Sequence, residues 1–155
     1  MIRAILACDE NWGIGKDGDL PWPKNSADLR WFKKCTEGST VVMGRKTWES
    51  LPIKPLPNRN NIVVSKDVKN ISAEHVIHPN DIKLSLMIQS MPIWIIGGAQ
   101  LIESCLPIID EIWLSRISGN YNCDTYLPRD LIELTYELYS SEWEDDVYVD
   151  KWRKY

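Results

Sequence analysis

The chain has 155 residues, 44% of them hydrophobic, and carries 18 Lys and Arg against 22 Asp and Glu. This length and apolar content predict one globular domain over residues 1–155 with a core of its own. The modestly acidic balance, with a pI near 5.2, excludes the broad positive field that binds nucleic acid or an anionic membrane. We therefore expect neither among its partners.

The chain contains four widely separated cysteines: Cys8, Cys35, Cys105 and Cys123. They lack the spacing of a CxxC motif or of a Cys/His metal site, so we interpret them as buried free thiols and expect no bound metal. The apolar run Met1 to Cys8 is too short for a signal peptide or a membrane span. These features favour a reducing, cytoplasmic location.

Apolar runs rich in branched residues predict strands, and segments with a helical pattern lie between them. In chain order the predicted elements are a strand at Ile2 to Cys8, a helix at about 26 to 36, a strand at Thr40 to Met43, a helix at Arg45 to Leu51, a strand at Ile62 to Val64, a helix at about Pro79 to Gln89, a strand at Pro92 to Ile96 and a helix at Gly98 to Leu106. This alternation indicates a largely parallel sheet with helices on its faces.

After Pro107 the pattern changes to strands separated by polar turns. The predicted strands are Glu111 to Ile117, Leu134 to Tyr139 and Val147 to Trp152, with a hairpin tip at Ser140 to Asp146. No repeat, low-complexity tract or linker divides the chain, so the sequence gives no reason to expect a second domain.

Three predicted strands end in groups that suit a ligand, and open α/β sheets bind ligands outside such ends. Gly44-Arg45-Lys46-Thr47 offers a helix N-terminus with two cations, Ser65-Lys66 adds a hydroxyl and a cation, and Gly97-Gly98-Ala99 lets a ligand approach the backbone. Each cluster also has an ordinary explanation as solvated charge or a simple turn. Their joint occurrence shifts the interpretation toward a phosphorylated dinucleotide, while the structural alternative stays open.

Asp28 is an unusual residue in the first predicted helix, because it shares a face with Phe32 and lies beside Leu29. A carboxylate on an apolar face needs a reason, since burying an unpaired charge is costly. The alternative is that Asp28 sits in the first turn and simply interacts favourably with the helix dipole. The helix pattern alone leaves both interpretations open.

A set of motifs in a fixed order resembles the dihydrofolate reductase family over almost the whole chain. The motifs are Ala7 with Gly13-Ile14-Gly15, Leu20-Pro21-Trp22, Asp28-Leu29 with Phe32-Lys33, Met43 to Ser50, Pro55-Leu56-Pro57 with Arg59, Ile96-Gly97-Gly98, and Asp124-Thr125. The resemblance implies an α/β fold: a mostly parallel, eight-stranded twisted sheet flanked by four helices, with an antiparallel C-terminal strand. It also implies a monomeric enzyme that reduces 7,8-dihydrofolate to tetrahydrofolate with NADPH and binds antifolates.

By the same resemblance, Asp28 orients the pterin and promotes protonation of N5 through water, with Trp22, Leu20 and Ser115 completing the catalytic group. The implied substrate-binding residues are Ile5, Leu6, Asp28, Leu29, Phe32, Leu51, Leu56, Arg59 and Ile96. The implied cofactor-binding residues are Ala7, Ile14, Gly15, Leu20, Gly44, Arg45, Lys46, Thr47, Ser65, Lys66, Gly97, Gly98, Ala99, Gln100, Leu101, Ile102 and Thr125. A lid over residues 13 to 24 would exclude water, and the family joins its paired glycines by a cis peptide bond.

Four positions depart from the family's pattern. Ile102 stands where an aromatic residue often faces the nicotinamide, and Ser115 stands where threonine is usual. Ala99 and Gln100 follow the paired glycines where glycine and a basic residue are common. The resemblance then implies that Ala99 and Gln100 weaken one contact to the cofactor phosphates. Lys46 and Lys66 are left to supply the positive charge.

Two competing functions are a reductase of the same fold with another substrate and a protein of another class. A reductase of the same fold acting on a uracil-ring sugar intermediate of flavin synthesis would need neither Asp28 nor Arg59. A dinucleotide-binding or structural module without turnover would not need Asp28, Trp22 and the Gly97-Gly98 pair together. The presence of all these residues argues against both alternatives.

Overall fold

The computed structural model describes residues 1–155. Its ten strands are β1 Ile2–Cys8, β2 Gly13–Gly15, β3 Thr40–Gly44, β4 Asn60–Val64, β5 His75–Ile77, β6 Ile93–Gly97, β7 Glu111–Arg116, β8 Thr125–Tyr126, β9 Tyr136–Glu144 and β10 Val147–Lys154. Its α-helices are α1 Ser26–Thr36, α2 Arg45–Ser50, α3 Ile82–Met87, α4 Ala99–Cys105 and α5 Arg129–Thr135. Single 3₁₀ turns, Pro79–Asp81 and Leu106–Ile108, precede α3 and follow α4.

Eight strands form one sheet in the order β5-β4-β3-β6-β1-β7-β10-β9. The six strands from β5 to β7 are parallel to one another, whereas β10 runs antiparallel to both β7 and β9. Strands β2 and β8 form a separate antiparallel pair. The predicted fold class, with its antiparallel C-terminal strand, is confirmed.

Helix α1 forms where the sequence predicts it and carries Asp28 in its first turn. The side chain of Asn25 caps the helix, because its Oδ1 accepts the Asp28 backbone N–H at 3.0 Å. Just beyond the other end, Gly38 adopts the left-handed conformation with φ +77° that suits a helix stop. The cap therefore fixes the position at which the Asp28 side chain leaves the helix.

The region from residue 129 to residue 139 differs from the prediction. The sequence pattern indicates a strand at 134–139, but Arg129–Thr135 is helix α5 and β9 begins only at Tyr136. Ile132 and Tyr136 are fully buried, whereas Leu134 is 79% exposed, so the apolar Leu134 misled the strand assignment. The Tyr136 hydroxyl donates to the carbonyls of Leu106 and Ile109, which explains why this aromatic residue is inside.

Two other predicted elements are longer than the corresponding elements of the structure. The hairpin tip contracts to Asp145 and Asp146, because β9 and β10 pair as far as Glu144 and Val147. The predicted span Pro79 to Gln89 begins with a 3₁₀ turn and ends beyond the helix. The α-helix itself, Ile82–Met87, therefore covers only the middle of that span.

The core is divided between the two faces of the sheet, because neighbouring residues of a strand point to opposite faces. On β1, Ala4 belongs to the larger cluster, which includes buried residues of α3, α4 and α5, and Ile5 belongs to the smaller one. Trp31 of α1 and Trp48 of α2 cover the smaller cluster. The face that α1 covers is therefore the one that receives Asp28.

All four cysteines are free, as predicted; Cys8, Cys105 and Cys123 are buried and Cys35 is half-buried. None of the helices combines the length and the apolar character that crossing a membrane requires.

Candidate active site

The carboxyl ends of β4, β3 and β6 meet at one edge of the sheet, as parallel strands require. Gly44 pairs with Val64 in neighbouring β4, and Met43 pairs with Gly97 in neighbouring β6. The residues that follow these strands are the three clusters singled out in the sequence. The structure therefore brings them side by side.

Three glycines and a threonine form the centre of this edge, which we call the cradle: Gly44, Thr47, Gly97 and Gly98. A β-carbon on Gly44 would lie 3.7 Å from the Gly98 nitrogen, and one on Gly97 would lie 3.5 Å from Thr47 Oγ1. Gly97 has φ +133°, a conformation that favours glycine, and the Gly97-Gly98 peptide bond is cis. The cradle thus exposes backbone where side chains would otherwise stand.

Positive charges surround the cradle. Lys46 and Lys66 are exposed and form no ion pair, while Arg45 pairs with Glu49 one turn along α2 at 3.7 Å. These exposed cations at the ends of β3 and β4 suit a phosphate ligand.

Asp28 is half-buried on the inner side of α1. Burial raises the pKa of its carboxyl group above the ordinary value, and the nearby Ser115 hydroxyl offsets part of that rise. Ser115 Oγ is itself buried and has no hydrogen-bond partner, so we treat it as a close neighbour of the carboxylate rather than a bonded one. Asp28 is both a first-turn acid and a half-buried carboxylate, so the two interpretations of the sequence are compatible.

Apolar side chains form a wall on the same face of the sheet. The wall consists of half-buried residues that pack against the cluster containing Ile5, namely Phe32, Leu51, Leu56 and Ile96. Leu29, on the helix beside Asp28, is 46% exposed.

Leu6 faces the other way. It packs against the larger core cluster and its Cδ2 would lie 3.9 Å from a β-carbon on Gly97. Leu6 therefore borders the cradle rather than the wall, and its assignment to the substrate set stays a prediction. Ala7 is half-buried and pairs with Ser115 on β7.

Arg59 is held in place at the far end of α1. Its Nε donates to the Pro57 carbonyl at 2.9 Å and its Nη1 donates to Thr36 Oγ1 at 3.1 Å. The guanidinium lies 5.8 Å from the centre of the Phe32 ring, and burial lowers the pKa of Arg59. This cation is pre-oriented beside the apolar wall.

The segment from residue 13 to residue 24 contacts the chain after β7. Gly15 of β2 pairs with Thr125 of β8, and Ile14 beside it is half-buried against the larger core cluster. Trp22 is 6% exposed and packs edge-on against Tyr121 with ring centres 6.0 Å apart. Leu20, in contrast, is 57% exposed.

Helix α4 buries two residues of the predicted cofactor set, whose assignment stays a prediction. Leu101 and Ile102 are buried in the larger core cluster, and Ile102 has no exposed surface. The helix turns these two residues toward the sheet, so only Ala99 and Gln100 remain near its exposed start. Ile102 reaches the cradle only through its backbone N–H, which donates to the Gly98 carbonyl at 3.0 Å.

The sequence analysis missed three residues that connect to the lid: Asp9, Tyr121 and Cys123. Asp9 is fully buried and accepts the Tyr121 backbone N–H at 3.1 Å. An acidic residue directly after a buried strand was the available signal for Asp9. No comparable pattern marks Tyr121 or Cys123, because both lie in an irregular loop far along the chain.

Two further cavities lie outside the cradle and the wall. One, of about 160 Å³, separates α1 from the turn at Asp145 and is lined by Trp31 and Lys34. The other, of about 510 Å³, is open to solvent beside Arg59 and His75. The cavity beside Asp145 is lined by none of the residues of the cradle or the wall. The open cavity shares only Arg59 with the candidate site.

Comparisons with known proteins agree with this geometry. A family model described as dihydrofolate reductase matches residues 1–151. The chain is 40% identical to the dihydrofolate reductase of Bacillus subtilis over 144 residues, which is 92% of this chain and 83% of that protein. It is 37% identical to the Haemophilus influenzae enzyme, covering 97% of this chain and 86% of that protein.

A solved structure is also similar. It is a dihydrofolate reductase from Enterococcus faecalis complexed with NADP(H) and RAB-propyl, with a TM-score of 0.84 and 29% sequence identity. The match covers 99% of this chain and 96% of that one.

The fold and the comparisons define an oxidoreductase of the α/β class, with a glycine-lined cradle at one edge of its sheet. More particularly, the chain belongs to the dihydrofolate reductase family. That family reduces dihydrofolate to tetrahydrofolate with NADPH.

Proposed function

We propose that Asp28 is the residue that binds the pterin ring of dihydrofolate and promotes its protonation at N5. The observation that carries this proposal is the half-buried Asp28 carboxylate, with its raised pKa, on the face of the sheet that bears the apolar wall. The two carboxylate oxygens match the ring N–H and the exocyclic amino group that a pterin presents side by side.

The promotion of protonation is electrostatic. The carboxylate charge in a partly desolvated pocket favours the cationic form of the ring, and a water molecule delivers the proton, because no side chain suited to do so lies beside N5 in this family. We assign Trp22 and the buried Ser115 hydroxyl to the hydrogen-bonding surroundings of that carboxylate and its water. The buried, unpartnered Ser115 Oγ supports this assignment, since such a group calls for a polar neighbour.

The residues of the cradle fit NADPH. Gly44, Gly97 and Gly98 leave the backbone open to a close approach, and Lys46 and Lys66 are cations without partners. We assign Arg45, Lys46 and Thr47 to the phosphates and Ser65 and Lys66 to the adenosine end. Bound in the cradle, NADPH supplies the hydride. The NADP(H) complex of the Enterococcus faecalis relative supports this assignment.

The remaining residues bind and enclose the substrate. Phe32, Leu51 and Leu56 would cover the pterin and the aminobenzoyl group, and the pre-oriented Arg59 would pair with the carboxylate of the glutamate tail. Leu20 is exposed on the lid and would cover the nicotinamide side when the lid closes, which excludes water during transfer.

We also propose a cytoplasmic monomer. Four free cysteines suit a reducing compartment. One chain supplies the cradle, the wall and Asp28, so the proposed reaction needs no residue from a second copy.

The test is the turnover of Asp28→Asn, followed at 340 nm with NADPH and dihydrofolate. We expect turnover at pH 7 to fall by about a hundredfold or more, because general protonation assistance contributes roughly that factor. Activity should recover in part at low pH, where free dihydrofolate protonates itself.

Asp130→Asn is the matched control, because Asp130 is the exposed first-turn acid of α5 and shares only the helix-dipole role. It should leave turnover unchanged. Undiminished turnover of Asp28→Asn at pH 7 would remove Asp28 from the mechanism.

A further inference from the structure

We infer that Asp9 is a positioning residue for the reaction, because it ties both ends of the lid to the loop that carries Tyr121. The inference rests on the proposed role of the lid over residues 13 to 24. It concerns a buried carboxylate that touches neither the wall nor the cradle.

All the hydrogen bonds to the Asp9 carboxylate come from two separate segments of chain. Oδ1 accepts the backbone N–H groups of Asn11 and Gly13, each at 2.9 Å. Oδ2 accepts the Tyr121 backbone N–H at 3.1 Å and the Cys123 thiol at 3.4 Å. Asp9 therefore joins the start of the lid to a loop more than a hundred residues away.

The carboxylate stays ionised although it has no exposed surface. Burial acts to raise the pKa of Asp9, but the hydrogen bonds from Tyr121, Gly13 and Asn11 outweigh it and lower the pKa. A buried charge held by four donors is rigid, because each donor would be left unpaired if it moved.

Tyr121 carries the connection to the other end of the lid. Its ring packs edge-on against Trp22, at 6.0 Å and an interplanar angle of 66°. The backbone N–H of the same residue is fixed by Asp9, so the backbone that carries the ring cannot shift without breaking a partly buried, charge-assisted hydrogen bond. This fixed backbone helps to hold in place Trp22, which the proposed mechanism assigns to the surroundings of the Asp28 carboxylate.

A second contact between lid and loop differs in kind. The Asp17 N–H donates to Asp124 Oδ2 at 2.9 Å, but this hydrogen bond is exposed. Water can replace an exposed partner, whereas nothing can replace Asp9 inside the protein. The buried clamp, defined as Asp9 with Gly13, Tyr121 and Cys123, therefore sets the resting position of the lid.

Two variants test the clamp from opposite sides. Asp9→Asn keeps the shape but turns an amide N–H₂ toward donors on one side, which leaves them unpaired. Tyr121→Ala keeps Asp9 and its backbone hydrogen bond but removes the ring that touches Trp22. We expect each to lower kcat for dihydrofolate reduction by about tenfold, with a much smaller change in KM for NADPH.

Matched controls separate positioning from general destabilisation. Tyr121→Phe keeps the ring that packs against Trp22, so its kcat should stay within about twofold of the parent's. A twofold change in kcat corresponds to well under 1 kcal/mol. Asp150→Asn alters another buried carboxylate, which bonds Arg116 and Ser141. It should lower the melting temperature without lowering kcat.

The reactivity of the Cys123 thiol gives a readout that does not need the reaction. We expect an aromatic disulfide reagent to label Cys123 about tenfold faster in Tyr121→Ala than in the parent, since the thiol is buried against Gly13 and Asp9 and reacts only when the lid and the loop separate. Mass spectrometry would locate the label, and NADPH should slow labelling in the parent.

Two outcomes would overturn the clamp. One is a parent-like kcat in Tyr121→Ala, and the other is a normal rate of Cys123 labelling in that variant. The mechanism proposed for Asp28 fails separately, through Asp28→Asn, which leaves the labelling test intact.

Discussion

Gly13 and Cys123 are packed so closely that a β-carbon on Gly13 would lie 2.3 Å from the Cys123 sulfur and 2.6 Å from its β-carbon. Because real atoms do not approach so closely, Gly13→Ala must displace the loop after β7. We expect a loss of about 1–3 kcal/mol in the free energy of unfolding, the usual range for overpacking. Denaturant unfolding followed by tryptophan fluorescence would measure it.

Gly44→Ala is the control for this loss, because its β-carbon would meet only ordinary contacts at 3.7 and 3.9 Å. It should leave stability near that of the parent. In a double-mutant cycle, Cys123→Gly should recover part of the loss in Gly13→Ala, since it removes both clashing atoms. Simple additivity would show that the two residues do not oppose each other.

The raised pKa of Asp28 implies a dependence of stability on pH. Because the pKa of Asp28 is higher in the folded protein than its ordinary value of 3.8, the folded protein binds the proton more tightly than the unfolded chain does. The free energy of unfolding therefore falls as the pH rises from 3.8 through the folded-state pKa. Asp28→Asn carries no such charge, so the inactive variant should melt at a higher temperature than the parent at pH 7. The difference should vanish below pH 3.8, and thermal scans across this range would show it. If Asp28→Asn melted at a lower temperature than the parent at pH 7, the ionised Asp28 carboxylate would stabilise the folded protein, contrary to this prediction.

Lys46 and Lys66 should determine the preference for NADPH over NADH. Each of the variants Lys46→Ala and Lys66→Ala should lose a charge-assisted hydrogen bond to the 2′-phosphate, which NADPH has and NADH lacks. This loss should lower kcat/KM for NADPH by about tenfold or more. NADH should be affected much less, and salt should narrow the gap because the lysines are exposed. Lys83→Ala, an exposed lysine on α3, serves as the control. Equal losses with both cofactors would reject the assignment.

Arg59→Lys should not be a conservative change. A lysine cannot donate to the Pro57 carbonyl and Thr36 Oγ1 while also presenting a fork to a carboxylate. We expect KM for dihydrofolate to rise about tenfold, in line with the loss of one bidentate contact, with little change in kcat. A pterin substrate without the glutamate should show no such rise. The same rise with both substrates would assign Arg59 a purely structural role.

Local patterns explain which features the sequence predicts correctly. Asn25 and Gly38 mark the ends of α1 because capping and left-handed turns depend on neighbouring residues. The residues after β3, β4 and β6 meet because parallel strands share one edge.

The features that sequence analysis misses depend on distant contacts. The pairing of Asp9 with Tyr121 and of Tyr121 with Trp22 requires knowing how the loop after β7 folds back. Leu134 was assigned to a strand because it is apolar, and apolarity alone does not distinguish a surface position from a core position. Orientation on a helix is settled by what the helix packs against.

The place of β10 in the sheet has a consequence for folding. This strand follows β9 in sequence but inserts between β7 and β9, and its Val149 pairs with Ser115. Lys151 of the same strand lies over the rings of Trp113 and Trp31 beneath α1. A folding intermediate in which β10 is not yet paired therefore lacks the support under α1, and activity should appear only when β10 has joined the sheet.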